Sequence, residues 1–273
     1  MGRIFTPEEV ELKLVPNLSD FAVFVNLLKR DLAVCEGVIG GLICGSVARG
    51  CHNIRSDIDC LVLHAHGNEE LVVHILTDLY RVAKRMHIPI GIIRLSDDIA
   101  STKMHHIGQG FADHMSKVLC CDGAVIKANP LPFLGLDGLD PKEDTRCYLR
   151  FKLRQLEKFQ IEKQSIPEYV YYLGLSKMMN SAVHVARKVA SCLGGKLEDD
   201  SSSNVCEVYP RYVDLKVKNI FRELTRADRQ YSRVLSEHLQ EFNRSAYEAA
   251  IQDIDDLLPV SIKFVRMNAL MFA

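Results

Sequence analysis

The run NPLPFLGLDGLDP, residues 129–141, divides the chain. Three prolines and two glycines in thirteen residues let neither a helix nor a strand run through it. The apolar patterning also changes character across it.

Ahead of the run, short apolar stretches of strand length alternate with helical spacing. The sequence predicts helices over 18–34, with Ser19 or Asp20 as cap, over 68–86 and over about 105–119. It predicts strands over 38–44, 57–63, 88–95 and 124–127, with Pro89 at the start of the third. Behind the run only helical periodicity remains. Asp140, Pro141 and Glu143 read as cap, first helical residue and capping-box partner. SIPE at 165–168 repeats that start, Gly194-Gly195 closes the second helix, and 197–204 is a polar loop. Helical spacing then runs from near 210 to Pro259. The expected class is α+β: a domain over 1–138 with a mixed sheet and flanking helices, then an all-α bundle over 139–273.

Composition narrows the function. A net charge of −1 gives no general affinity for nucleic acid or membrane. Residues 1–140 hold 13 Lys and Arg against 17 Asp and Glu, whereas 141–273 hold 21 against 18, so an anionic partner is better sought in the second half. Nine cysteines, an odd number with no CxxC pair, read as free thiols in a reducing cytoplasm rather than a zinc site. No run has membrane-spanning length, and no membrane partner is expected. Met1-Gly2 with Thr6 matches a myristoylation pattern short enough to recur by chance.

The chemistry concentrates in CGSVARGCHNIRSDID, residues 44–59. On a strand, Asp57 and Asp59 project to one face with Ile58 turned to the core. Two ionised carboxylates held together call for a hard divalent cation, Mg²⁺ or Mn²⁺. Gly45 lets backbone N–H groups approach a phosphate, Ser46 adds a hydroxyl, and Arg49 can neutralise charge. The plainer alternatives are an exposed strand edge and an ordinary Gly-Ser turn followed by a surface arginine.

The order of strand, Gly-Ser turn and Ser-Asp-Ile-Asp strand resembles the polymerase-β-like nucleotidyltransferase superfamily, especially its small bacterial and archaeal members and the antibiotic adenylyltransferases. The resemblance is close over 43–63 and matches in layout over roughly 20–130. It implies that Gly45 and Ser46 hold a nucleoside triphosphate, ATP first among them. It also implies that Asp57 and Asp59 are the catalytic, metal-binding pair and that Ser56 shapes the approach to the first aspartate. The implied reaction moves a nucleoside monophosphate onto a hydroxyl of a small molecule, RNA or protein. A homodimer is compatible with it, and the helical bundle would complete the acceptor pocket or bind a partner.

The pattern departs from the family at a third carboxylate, where IPIGIIRL places Gly91. Arg94 stands three residues on, and Asp97 and Asp98 are the nearest acids. A water or the acceptor can fill the gap. Alternatively the domain binds nucleotide or a partner protein without efficient catalysis, as a component of a toxin–antitoxin system would.

Other signals are weaker. Arg146, Arg150, Arg154 and Lys158 form one helical stripe, and Arg222, Arg226, Arg229 and Arg233 another, either solvated faces or an anion surface. Asp253, Asp255 and Asp256 could instead serve a cationic acceptor. Arg233 to His238 fits the R-x4-H motif of HEPN ribonucleases. His64, His66, His105 and His106 are candidate metal ligands, and Tyr169, Tyr171 and Tyr172 candidate stacking groups.

Overall fold

The computed structural model describes residues 2–102, 112, 115–119, 121, 123–135, 140–197 and 201–272. Most of the helix expected over 105–119 lies outside the described residues, as do His105 and His106. The chain separates into two compact units, Val15–Leu139 and Met1–Leu14 with Asp140–Ala273.

The first fourteen residues therefore belong to the helical unit, which corrects the expected boundary. Thr6 caps α1 (Pro7–Glu11) with a capping box: its Oγ accepts the Glu9 N–H at 3.2 Å, and Glu9 accepts the Thr6 N–H at 2.9 Å. The Ile4 N–H donates to Ser176 Oγ at 2.8 Å, and the Phe5 N–H donates to Tyr231 Oη at 2.9 Å. Tyr247 Oη donates to the Phe5 carbonyl at 2.7 Å. Ile4 and Phe5 are fully buried, and the partners that bury and satisfy them lie far along the chain.

In the other unit, α2 (Leu18–Val34) precedes β1 (Val38–Cys44), the one-turn α3 (Gly45–Ala48) and β2 (Ile58–His64). Then come α4 (Glu69–Arg85), β3 (Ile90–Ser96), α5 (Asp97–Ala100) and the short β4 (Val125–Ile126). Asn17, not Ser19 or Asp20, stands at the α2 N-terminus, and its amide donates to Asp20 at 3.1 Å. The sheet order is β3-β2-β1-β4, with β1 antiparallel to both neighbours and β2 parallel to β3. This is a small mixed four-stranded sheet.

Its two faces carry separate cores. Phe21, Phe24, Leu28 and Leu32 of α2 and Val72, Leu76, Leu79 and Ala83 of α4 pack on Ile43, Ile58, Cys60 and Val62. Leu42, Cys44, Leu61, Leu63 and Leu95 face the opposite cluster with Met115, Val118 and Leu134. Val38 and Ile43, five residues apart, share one core because the register shifts between Val38 and Gly40.

The helical unit continues with α6 (Pro141–Glu162), α7 (Glu168–Cys192), α8 (Ser202–Val208), α9 (Leu215–Gln240), α10 (Arg244–Asp255) and α11 (Leu258–Leu270). Asp140 caps α6 by accepting the Lys142 N–H at 3.0 Å, while Glu143 turns to Arg146 at 2.7 Å instead of closing a capping box. Pro167 stands at the α7 N-terminus with no side-chain cap, so the repeated start signal is only apparent. The helical stretch expected to end at Pro259 is broken at Asn243, which caps α10 through Ala246 N–H at 3.0 Å. Pro259 lies in the first turn of α11, where its missing N–H costs nothing. Phe221 stacks on Phe264 at 5.8 Å and meets Tyr209 edge-on at 4.8 Å. Among the described residues no helix is long and apolar enough to cross a membrane.

Candidate functional site

β1 delivers the chain to the site. Its last residue, Cys44, is the register partner of Asp59 across β2. Gly45 follows with φ +77°, a conformation glycine adopts without strain, and starts the single turn α3 that ends at Arg49. A β-carbon placed on Gly45 would lie 3.5 Å from Asp59 Oδ2, so turn and carboxylate are neighbours.

The loop beyond α3 folds back on Ser46. The Cys51 N–H donates to the Ser46 carbonyl at 3.0 Å, and Ser46 Oγ donates to Ser56 Oγ at 3.1 Å. Ser56 Oγ also accepts the Asn53 N–H at 3.0 Å, and Asn53 Oδ1 accepts the Arg55 N–H at 2.8 Å. Ser56 is buried, so its hydroxyl pins the loop from within and fixes where Asp57 emerges.

Asp57 immediately precedes β2, Asp59 is the second residue of the strand, and Ile58 between them is sealed in the α2–α4 core. Asp57 is open to solvent and Asp59 partly covered. Burial pushes the Asp59 carboxyl up to about 7, and the neighbouring charge of Asp57 adds to the shift. Loss of water around the carboxyl also raises Asp57, although the residue as a whole is exposed. The structure thus sets the two carboxylates close enough that the charge of Asp57 opposes ionisation of Asp59. The Cys44 thiol beside them is pushed well up, by burial first and then by the charge of Asp59, which keeps it an unreactive thiol.

The parallel register sets Gly91 opposite Asp59. A β-carbon on Gly91 would lie 2.9 Å from Asp59 Oδ1, so the Asp59 carboxylate uses the space that a side chain at 91 would need. Arg94 pairs with Val62 and therefore lies on the α4 side of the sheet, the opposite face from Asp59, beside Tyr80 and Ile92. Asp97 and Asp98 follow Ser96, which pairs with His64, five strand residues or about 16 Å from Asp59. Asp97 Oδ1 accepts the N–H groups of His66 and Asp98 at 2.9 Å each, and Asp98 Oδ2 lies 3.2 Å from His66 Nδ1. Neither acid completes the pair.

Arg49 supplies the opposite charge. Its Nε and Nη1 are buried without a hydrogen-bond partner among the described residues, as is Nδ1 of His52, whose ring packs 4.9 Å from Phe21. Buried donors left unmade cost free energy, and an anion satisfies them. A divalent cation fits the carboxylates in turn. Mg²⁺ keeps several waters and is held by one or two carboxylates plus substrate phosphates, so two protein ligands suffice. Among the described residues no three His, Cys, Asp or Glu side chains gather into a metal-binding group.

The weaker sequence signals resolve differently. Arg146 Nε donates to the Phe272 carbonyl at 2.8 Å, and Lys158 lies 3.8 Å from Glu162, so the first stripe is partly structural. In the second, Arg222 and Arg226 line a groove between α9 and α10, while Arg233 lies 3.8 Å from Glu237. His238 Nδ1 accepts the Asn243 N–H at 3.3 Å, and its ring meets Tyr247 edge-on at 5.5 Å, a packing role at the end of α9. Asp255 accepts from Lys163, and Asp256 accepts from Gln252 at 2.8 Å. Tyr171 and Tyr172 meet edge-on at 5.4 Å, whereas Tyr169 is exposed. His52 and Asn53 were missed by the sequence reading; only their place inside the Gly-Ser to Asp-Ile-Asp loop marks them. The chain matches no protein-family model and no curated protein.

Proposed function

We propose that the chain is a metal-dependent nucleotidyltransferase of the polymerase-β-like kind, moving a nucleoside monophosphate from a nucleoside triphosphate, ATP first, to a hydroxyl of an acceptor. One observation carries the reading: the orphaned, buried N–H groups of Arg49 belong to the same turn that adjoins the Asp57–Asp59 pair. The mixed sheet supports it, since antiparallel β1 and β2 bring the end of one strand and its Gly-Ser turn to the start of the next.

The roles follow from position. Gly45 leaves room for the triphosphate tail against the backbone, the Ser46 hydroxyl turns from Ser56 to donate to it, and the Arg49 guanidinium balances its charge. Ser56 positions Asp57, and Asp57 and Asp59 hold Mg²⁺ or Mn²⁺. The bound ion supplies charge neutralisation at the phosphates. Asp59 pairs across the sheet with Cys44 on one side and Gly91 on the other, so its backbone stays fixed relative to the turn. The chain's contribution to rate is placement of the α-phosphate and fixed charge around it.

A second reading is nucleotide binding without transfer, as in a partner-binding module of a toxin–antitoxin pair. The glycine opposite Asp59 favours it, because residue 91 then offers an acceptor hydroxyl no side-chain proton acceptor of its own. Pyrophosphate release from labelled ATP with Mg²⁺ and a pool of cellular metabolites and RNA separates the two. Release that disappears in Asp57→Asn supports transfer, and tight metal-dependent ATP binding with no release supports the module.

A further inference from the structure

A cavity of about 460 Å³ opens between α9 and α10, a size usual for small-molecule sites. A buried bond of 2.8 Å between Tyr231 Oη and Tyr247 Oη ties the two helices together. Counted from that tie, Arg226 stands about 8 Å along α9 and Asp253 about 9 Å along α10, on opposite walls at similar depth. Arg222, Glu223 and Gln230 line the cavity beside Arg226. Among the described residues neither arginine has a carboxylate within ion-pair distance, and neither Glu223 nor Asp253 has a cation. Elsewhere on this unit exposed arginines do find acids: Arg211 with Glu207 and Arg244 with Glu11, each at 2.6 Å, and Arg266 with Glu157 at 2.8 Å. Here both signs line one space and leave it unbridged. The floor is apolar, built by Ala227, Ala250, Ile254 and Leu257, and the two alanines leave room that larger side chains would fill.

We propose that this cavity binds a free α-amino acid with a large apolar side chain. The site lies within the helical unit and does not rest on the nucleotidyl-transfer reading. Two arginines and two acids sum to no net charge, so a simple anion or a simple cation leaves half of the rim opposed. A zwitterion satisfies both halves. Its carboxylate accepts paired N–H bonds from the Arg226 guanidinium, with Arg222 one helical turn away on the same face. Its ammonium has three donors and gives one to Asp253 across the gap that the two side chains do not close by themselves. The apolar side chain then covers the floor and loses its contact with water. The Tyr231 hydroxyl is already bonded to Tyr247 and to the Phe5 N–H, so it adds ring surface rather than a polar contact.

The chain contains no tryptophan, so L-tryptophan is a probe whose own fluorescence anisotropy reports its capture. The test titrates the full chain, as wild type, Arg226→Gln and Asp253→Asn, into dilute L-tryptophan, N-acetyl-tryptophan and tryptophan amide. Both substituted residues are exposed, so the variants leave the fold intact. The expected result is saturable binding of L-tryptophan at one site per chain, weakened at least ~10-fold in each variant. N-acetyl-tryptophan lacks the ammonium and tryptophan amide the carboxylate, so wild type should bind each at least ~10-fold more weakly than L-tryptophan. The acetyl compound should then be indifferent to Asp253→Asn, and the amide to Arg226→Gln. No binding of L-tryptophan up to about 1 mM chain, or equal binding by wild type and both variants, overturns the site. N-acetyl-tryptophan bound as tightly as L-tryptophan gives the cavity to apolar anions and overturns the zwitterion, and the amide bound as tightly does the same in favour of apolar cations.

Discussion

The two charged clusters of this molecule are built in opposite ways. The acidic one comes from sixteen consecutive residues, Cys44 to Asp59, folded into a strand end, a turn and a strand start. The basic one sets Lys152 of α6 and Lys188 of α7 against the ring of Tyr148, so it exists only once two helices pack. The first crowds carboxylates until the proton competes with a cation for them. The second crowds ammonium groups until one has no counter-charge. Each arrangement sets like charges near one another, which a ligand of opposite sign would relieve.

Substitution separates these demands. The largest effect is expected from Asp57→Asn, which removes one of the two proposed metal ligands: pyrophosphate release should fall at least ~100-fold. A discontinuous assay with labelled ATP reads that fall. Arg49→Gln should come next, weakening Mg²⁺-dependent ATP binding by about 10-fold to 100-fold through loss of a charge-assisted contact. It should leave the affinity for the metal alone unchanged.

The pH dependence sharpens the contrast. Asp59 is raised from the usual carboxylate range to about 7, so between roughly pH 4 and 7 the folded chain holds a proton that the unfolded chain has released. Metal-free stability from this group is therefore present at low pH and lost as pH rises through 7. A divalent cation binds the ionised form, so the rise in Tm caused by saturating Mg²⁺ should be larger at pH 8 than at pH 5.5. Equal shifts at both values would count against metal binding at the pair. Asp59→Asn removes the repulsion outright, and its metal-free Tm at pH 8 should exceed wild type by about 2 °C or more, with no response to Mg²⁺. The smallest effect is expected from Gly91→Ala. Its β-carbon meets only the movable end of Asp59, so stability should change by about 1 kcal/mol or less, with a few-fold loss of metal affinity.

Legibility in the sequence follows the same division. β1, and β2 beyond Asp59, are buried on both faces and read as apolar runs, so their spans stand within a residue of expectation. The carboxylate pair was visible because a strand's two-residue period needs no tertiary information. Ile4 and Phe5 gave no such signal: what buries them is Ser176, Tyr231 and Tyr247, more than 170 residues away, as their hydrogen bonds show. Pro259 read as a stop because proline ends helices as readily as it begins them, and only the Asn243 cap shows where the break falls. Lys152 stood outside the arginine stripe, and its place by the Tyr148 ring near Lys188 comes from packing rather than spacing.

The most direct measurement is calorimetric titration of the wild-type chain with ATP, with and without Mg²⁺. The expected result is saturable binding at one site per chain that requires the metal and vanishes in Asp57→Asn. Binding of equal strength without Mg²⁺, or binding that Asp57→Asn leaves intact, would contradict a cation held between Asp57 and Asp59.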